Sequence, residues 1–137
     1  MSDPLYKKEI LRLAADAHGA GHLAQPHING AAHNPTCGDK VSVELSLDGM
    51  GRVTAMAHET RACILAQASA SILGQSLKGA SRDDVEDLAN AIGMMLGAKA
   101  PPPSAPFNDY AAFEGAVEHR NRPRCVLLPV EAVLNAF

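Results

Sequence analysis

The residues best suited to chemistry in this chain are three cysteines and one carboxylate. Cys37 lies in Asn34-Pro-Thr-Cys-Gly-Asp39, Cys63 follows Arg61-Ala62, and Cys125 opens the run Cys-Val-Leu-Leu-Pro129. Disulfides are rare in the cytosol, and an odd count cannot pair off internally. One reading is therefore three buried apolar thiols. The other is a metal site. Cys37 and Asp39 are one residue apart, and Gly38 permits a tight turn that exposes both on one side. Three soft thiolates and one carboxylate make a tetrahedral donor set for Zn²⁺. The same set suits an iron–sulfur cluster, which favours Cys thiolates. No Cys-x-x-Cys pair is present and the intervals are long, so spacing alone leaves these readings open.

The elements that must position these residues follow from periodicity. Asp3 and Pro4 suit the start of an amphipathic helix over 3–18, with Tyr6, Ile10, Leu13, Ala14 and Ala17 at helical spacing. Residues 19–36 read as loop. Val41–Leu47 alternates apolar and polar residues, the period of a half-buried strand, and Arg52–His58 returns as its partner after an Asp48-Gly-Met-Gly51 turn. From Ala62 the period becomes helical, through Ile64, Leu65, Ala68, Ile72 and Leu77. Ser81 with Asp84 is a capping-box variant opening another helix, whose stripe is Val85, Leu88, Ala89, Ile92, Met95 and Leu96. A stiff proline-rich connector spans Ala98–Pro106, and a shorter helix is expected near Asn108–Val117. Pro129 fits the start of a C-terminal helix, with Cys125 preceding it. On this plan each cysteine sits at a joint, two of them at helix starts where the dipole favours thiolate. The class is α+β.

Composition narrows the function classes. Alanine supplies 24 of 137 residues and aromatics only 4%, which favours helices packed through small side chains. Twelve Lys and Arg against fifteen Asp and Glu give a net charge of −3, without the basic footprint of a nucleic-acid binder. No apolar run reaches the roughly 18–20 residues of a membrane span. No signal-peptide core follows the N-terminus, so a soluble cytoplasmic protein is expected. His18, His22, His27, His33, His58 and His119 read as surface or loop residues. Ser69 and Ser71 lack a nucleophile elbow and read as small residues packing a helix on the sheet. Met94 and Met95 read as core filler.

The segments Asn34-Pro-Thr-Cys-Gly-Asp39, Ala62-Cys63, Ala68-Ser-Ala-Ser71, Leu77-Lys-Gly79 and Arg124-Cys-Val-Leu-Leu-Pro129 together resemble iron–sulfur assembly proteins of the IscU/SufU/NifU type. The likeness covers nearly the whole chain. It implies one domain over 1–137, with a small three-stranded antiparallel sheet packed against several helices and a third strand in Ile28–His33. It also implies that Cys37, Asp39, Cys63 and Cys125 form the metal or cluster site. IscU-type scaffolds carry His before the last cysteine, where this chain has Arg124. They also carry a Leu-Pro-Pro-Val-Lys segment, where this chain has Arg120-Asn-Arg-Pro-Arg124. The 61 residues between Cys63 and Cys125 exceed the IscU interval and are similar to the SufU branch. One departure from the family is Glu59-Thr-Arg-Ala-Cys63, which lacks the usual glycines before the second cysteine.

The SufU resemblance implies a zinc-bound, sulfurtransferase-like acceptor. It would work with a SufS-type cysteine desulfurase and supply downstream iron–sulfur assembly proteins. A thiolate must attack the outer sulfur of the donor persulfide. Cys37, on its glycine-flanked loop, is the expected acceptor, released from the metal as the partner docks, and Cys125 is the second candidate. Arg120, Arg122 and Arg124 would stabilise an anionic thiolate or persulfide, or else form a solvated or docking cluster. The alternative is an IscU-type scaffold assembling and transferring a [2Fe–2S] cluster. A structural zinc module is the third reading, which the carboxylate ligand disfavours.

Overall fold

Alternation along Val41–Leu47 makes the central strand of a three-stranded antiparallel sheet. In the computed structural model, which describes residues 8–34, 38–98, 100–118 and 122–137, the strands are β1 (Ile28–Asn34), β2 (Asp39–Leu47) and β3 (Val53–Arg61), in that order. Register runs from Ile28↔Leu45 to Asn34↔Asp39 on one side of β2, and from Lys40↔Arg61 to Leu47↔Val53 on the other. Val41, Val43 and Leu45 are buried on one face, as the pleat requires.

That face is covered by α2 (Ile64–Ser76) and α4 (Arg122–Ala136), while α1 (Lys8–Asp16), α3 (Arg82–Ala98) and a 3₁₀ helix (Asn108–Glu118) pack against the helical layer. The class is α+β, as expected. Among the described residues, no helix is long and apolar enough to cross a membrane. The N-terminal residues Asp3, Pro4 and Tyr6 lie outside the described residues.

Local signals explain most boundaries. The Ser81 N–H donates to the Asp84 carboxylate at 3.0 Å, and the Asp84 N–H donates to Ser81 Oγ at 3.3 Å. This reciprocal cap opens α3 with a shorter acid in the usual Glu place. The C-terminal helix differs from expectation. It begins at Arg122, so Pro129 lies inside it and Cys125 lies in its first turn. Pro129 cannot donate the helical hydrogen bond to the Cys125 carbonyl four residues back. Burial of Val126, Leu128, Val130 and Val133 holds the helix together across that break.

Two further readings are corrected, those of Met94 and His58. Met95 is buried, but Met94 is 57% exposed on the outer side of α3. Ser69 is buried on α2, where its hydroxyl donates to the Val126 carbonyl at 2.7 Å and the buried Tyr110 hydroxyl meets it at 2.9 Å. Ser69 thus ties α2 to α4 and to the 3₁₀ helix. Desolvation raises the Tyr110 pKa, so its phenol stays a donor. His58 is buried in β3 rather than exposed. Its Nε2 donates to the His18 carbonyl and its Nδ1 accepts from Thr60 Oγ1, both at 2.9 Å. Burial lowers the His58 pKa, which favours this neutral form.

The segment after α1 then closes the sheet. Gly21 N–H donates to the His58 carbonyl and His58 N–H donates to the Gly19 carbonyl, both at 2.9 Å. That bridge occupies the free edge of β3. Farther along, the Leu23 N–H donates to Glu44 Oε1 at 2.8 Å, so this segment lies over one end of the outer sheet face. At the other end, toward Asp39, the side chains of Lys40 and Arg61 are exposed.

Candidate metal centre

Three separate elements deliver one donor each to a common point. Asp39 is the first residue of β2, Cys63 is the N-cap of α2, and Cys125 lies in the first turn of α4. One ligand atom from each lies within 4.8 Å of the others. Asp39 and Cys125 are buried, and Cys63 is partly exposed. The three residues are 86 positions apart from first to last, so tertiary structure alone gathers them.

The local backbone explains the arrangement. Gly38, at φ +76°, donates its N–H to the Asn34 carbonyl at 2.8 Å, which reverses the chain between β1 and β2. That reversal sets Asp39 at the sheet end. The β3 strand runs unbroken to Arg61, so the absent glycines leave regular strand up to two residues before Cys63. Asp39 Oδ2 accepts from the Cys63 N–H at 3.3 Å and from the Cys125 thiol at 3.8 Å. The carboxylate therefore already links the other two residues.

Cys63 has the electrostatics of a ligand. Its pKa is lowered to about 6, chiefly by the hydrogen bond from the Cys125 thiol. Burial opposes this, as does the Asp39 charge, while the Ala66 and Leu65 amides assist. Sγ faces those first-turn amides without closing a cap hydrogen bond to either. A thiol at the positive end of a helix is held toward thiolate in this way.

A direct consequence is measurable. In metal-free protein, alkylation of Cys63 by iodoacetamide, followed by peptide mass spectrometry, should reach half its limiting rate near pH 6. An unperturbed thiol does so at about 8.5. An inflection near 8.5 would contradict the proposed thiolate environment. The sign for stability follows from the same depression. The contribution is complete above the unfolded thiol's pKa and is lost as the pH falls through about 6.

The remaining site residues fall as follows. Arg124 is exposed on α4 immediately before Cys125. Cys37 and Arg120, and the side chain of Arg122, lie outside the described residues. The sequence reading did not anticipate that Asp39 accepts from both cysteines' groups. The one available signal was its position beside a glycine turn.

Comparison with known proteins identifies the family and the fold. The NifU-like N-terminal domain family matches residues 5–125. A Bacillus subtilis protein named zinc-dependent sulfurtransferase SufU is 28% identical over 131 residues, covering 96% of this chain and 88% of that one. A Streptococcus pyogenes protein named iron–sulfur cluster assembly scaffold protein IscU is 24% identical, covering 86% of this chain and 79% of that one. A crystal structure of a nitrogen-fixing NifU-like protein, N-terminal part, from Brucella abortus superposes with a TM-score of 0.91. It is 34% identical and covers 98% of this chain and 92% of its own. The fold is also that of a putative SUF-system scaffold from Fervidobacterium islandicum, with a TM-score of 0.86 at 19% identity and coverage of 99% and 98%. The chain belongs to the NifU-like N-terminal domain family of iron–sulfur cluster assembly proteins.

Proposed function

We propose that this protein is a zinc-bound sulfur acceptor, taking persulfide sulfur from a SufS-type cysteine desulfurase in the cytoplasm and passing it to downstream iron–sulfur assembly proteins. The observation that carries the reading is the convergence of Asp39, Cys63 and Cys125 within 4.8 Å. Two thiolates and one carboxylate at that span fit a tetrahedral Zn²⁺, whose Zn–S and Zn–O distances are about 2.3 and 2.0–2.2 Å. Cys37 is the fourth ligand in this proposal. It is two residues from Asp39, so their Cα atoms are at most about 7 Å apart. The name of the Bacillus subtilis relative supports zinc and sulfur transfer together.

When bound, Zn²⁺ keeps its thiol ligands deprotonated at neutral pH. The chain's own residues then divide the work. Asp39 and Cys63 hold the end of β2 against the start of α2 through the Cys63 N–H. Cys125 ties α4 to the same carboxylate. Cys37 is the acceptor, and its thiolate attacks the outer sulfur of the donor's persulfide. One S–S bond forms to Cys37 as the donor's S–S bond breaks. The electron pair leaves with the donor cysteine as thiolate, so no external oxidant is required. Arg124 supplies positive charge beside Cys125, the second candidate acceptor.

Anaerobic native mass spectrometry tests the reading. The protein is incubated with a SufS-type desulfurase, cysteine, Zn²⁺ and Fe²⁺. A one-zinc species gaining one sulfur is expected, with the gain abolished in Cys37→Ala while zinc is still bound. A dominant [2Fe–2S] species would replace this reading with that of a cluster scaffold. Zinc retained with no sulfur gained would leave a structural role.

A further inference from the structure

The Asp39 end of the sheet carries a row of basic residues that the metal centre does not use. His33, Lys40 and Arg61 are opposed in register across β1, β2 and β3. All three are exposed, and Arg61 has 81% of its side-chain surface free. Neighbouring strands are about 4.8 Å apart, so the row is a compact stripe. Lys40 follows Asp39 directly, and Arg61 precedes Cys63 by two residues. Arg124, also exposed, precedes Cys125. Each described donor of the centre is thus flanked in sequence by a cation.

Folding alone does not favour this row. Like charges directly opposite on adjacent strands destabilise a sheet. Among the described residues, Lys40 and Arg124 have no ion-pair partner. Arg61 pairs with Glu59, at 3.1 Å. That pair is exposed, which makes it weak, and the same carboxylate is approached by His22 Nε2 at 3.6 Å.

The charge is also polarised along the strand. Asp83, Asp84, Glu86 and Asp87 crowd the start of α3, beside Val53: the Val53 N–H donates to the Ala80 carbonyl, and Arg52 reaches Asp84 at 3.6 Å. Val53 and Arg61 are the two ends of β3, about 26 Å apart at strand rise. Arg52 and Arg82 at the Val53 end are paired with Asp84 and Glu86, whereas Lys40 and Arg124, at the end that holds the site, have no ion-pair partner among the described residues. Such a distribution orients an incoming charged surface before contact.

We infer that the His33–Lys40–Arg61 row, with Arg124 beside Cys125, is the docking surface for an acidic patch on the sulfur donor, and that it steers that patch onto the metal centre. This rests on the sulfur-acceptor reading of the preceding section. Charge complementarity sets the partner's chemistry: clustered carboxylates around the mouth from which its persulfide is presented.

The test uses the full-length protein and its SufS-type desulfurase, with association followed by stopped-flow fluorescence and zinc content measured alongside. Lys40→Glu combined with Arg61→Glu should slow association about tenfold or more at 50 mM salt. The difference should shrink to about twofold or less at 500 mM, where exposed charges are screened. Lys40→Gln with Arg61→Gln should fall between. Zinc content should match the wild type in both. An unchanged rate and salt slope in the reversed variant would overturn the docking row while leaving sulfur acceptance intact. Lost zinc with an unchanged association rate would assign the cations to balancing the site and would also overturn it. A wild-type protein that does not associate with the desulfurase would overturn both readings.

Discussion

Cys63→Ala should lower zinc affinity at pH 7.5 by more than about 100-fold, beyond the 10–100-fold that loss of a supporting outer residue typically causes. The argument is one of position. Cys63 is already biased toward thiolate, with its pKa down to about 6, so at pH 7.5 binding a metal displaces little proton from it. It also sits where β3 ends and α2 begins, and its N–H is the link to Asp39. A chromophoric chelator competition measures the affinity. Thermal melts with and without EDTA give a second readout. A ligand present at 100 times its Kd adds about 2.7 kcal/mol to stability, so chelation should lower the wild-type Tm by several degrees. The Cys63→Ala melt should be insensitive to EDTA. Zinc affinity within threefold of the wild type would remove Cys63 from the donor set.

The three donors also bind the fold together at the Asp39 end of the sheet. The Asp39 carboxylate touches groups from α2 and α4, so its charge is met by donors even without an ion. The expected loss on chelation is therefore loss of a clamp between β2, α2 and α4. The buried contacts of Leu73, Val126 and Val130 persist without it. This places metal dependence on local order at the site, with the Ser69–Val126 and Tyr110 contacts as the part that survives.

How far the sequence spoke depends on whether a signal was local. The β2–β3 hairpin was legible because its alternation and turn lie within one stretch, and the Ser81–Asp84 cap because its two residues are three apart. The strand β1, Ile-Asn-Gly-Ala-Ala-His-Asn, has one β-branched residue and no clear alternation of type. Its place came from the family resemblance, because what makes it a strand is pairing with β2 and cover from α4. Pro129 misled for a related reason. Its local effect is to break a helix, whereas burial of the α4 face on the sheet outweighs one missing hydrogen bond. His58 read as a surface residue because nothing near it in sequence announces the His18 carbonyl. At the site, residue types and the Gly38 turn were legible. That Asp39, Cys63 and Cys125 meet depends on where α4 crosses the sheet, which no local pattern encodes.

That crossing rests on Gly30, and Gly30→Ala should be the most damaging single-methyl change on the sheet. A Cβ at Gly30 would lie 2.6 Å from the Ala132 carbonyl and would also strike the backbone N of Ala136, both in α4. These are main-chain atoms, so no rotamer change relieves the overlap. The helix must move as a body, away from β1. Overpacking of this kind costs about 1–3 kcal/mol and more when backbone must shift. For a chain of 137 residues, about 3 kcal/mol lowers the Tm by roughly 10 °C. Displacement of α4 also carries Cys125 away from Asp39, so zinc affinity should fall together with stability. Gly49→Ala is the matching control, because nothing lies within 4 Å of its added Cβ. That variant should keep both Tm and zinc affinity near wild type. Urea melts and chelator competition on the pair separate the two effects. If Gly30→Ala matched the control in both, α4 would not be seated on β1 through that glycine. The route from sheet packing to the placement of Cys125 would then have to run through the Ser69–Val126 contact instead.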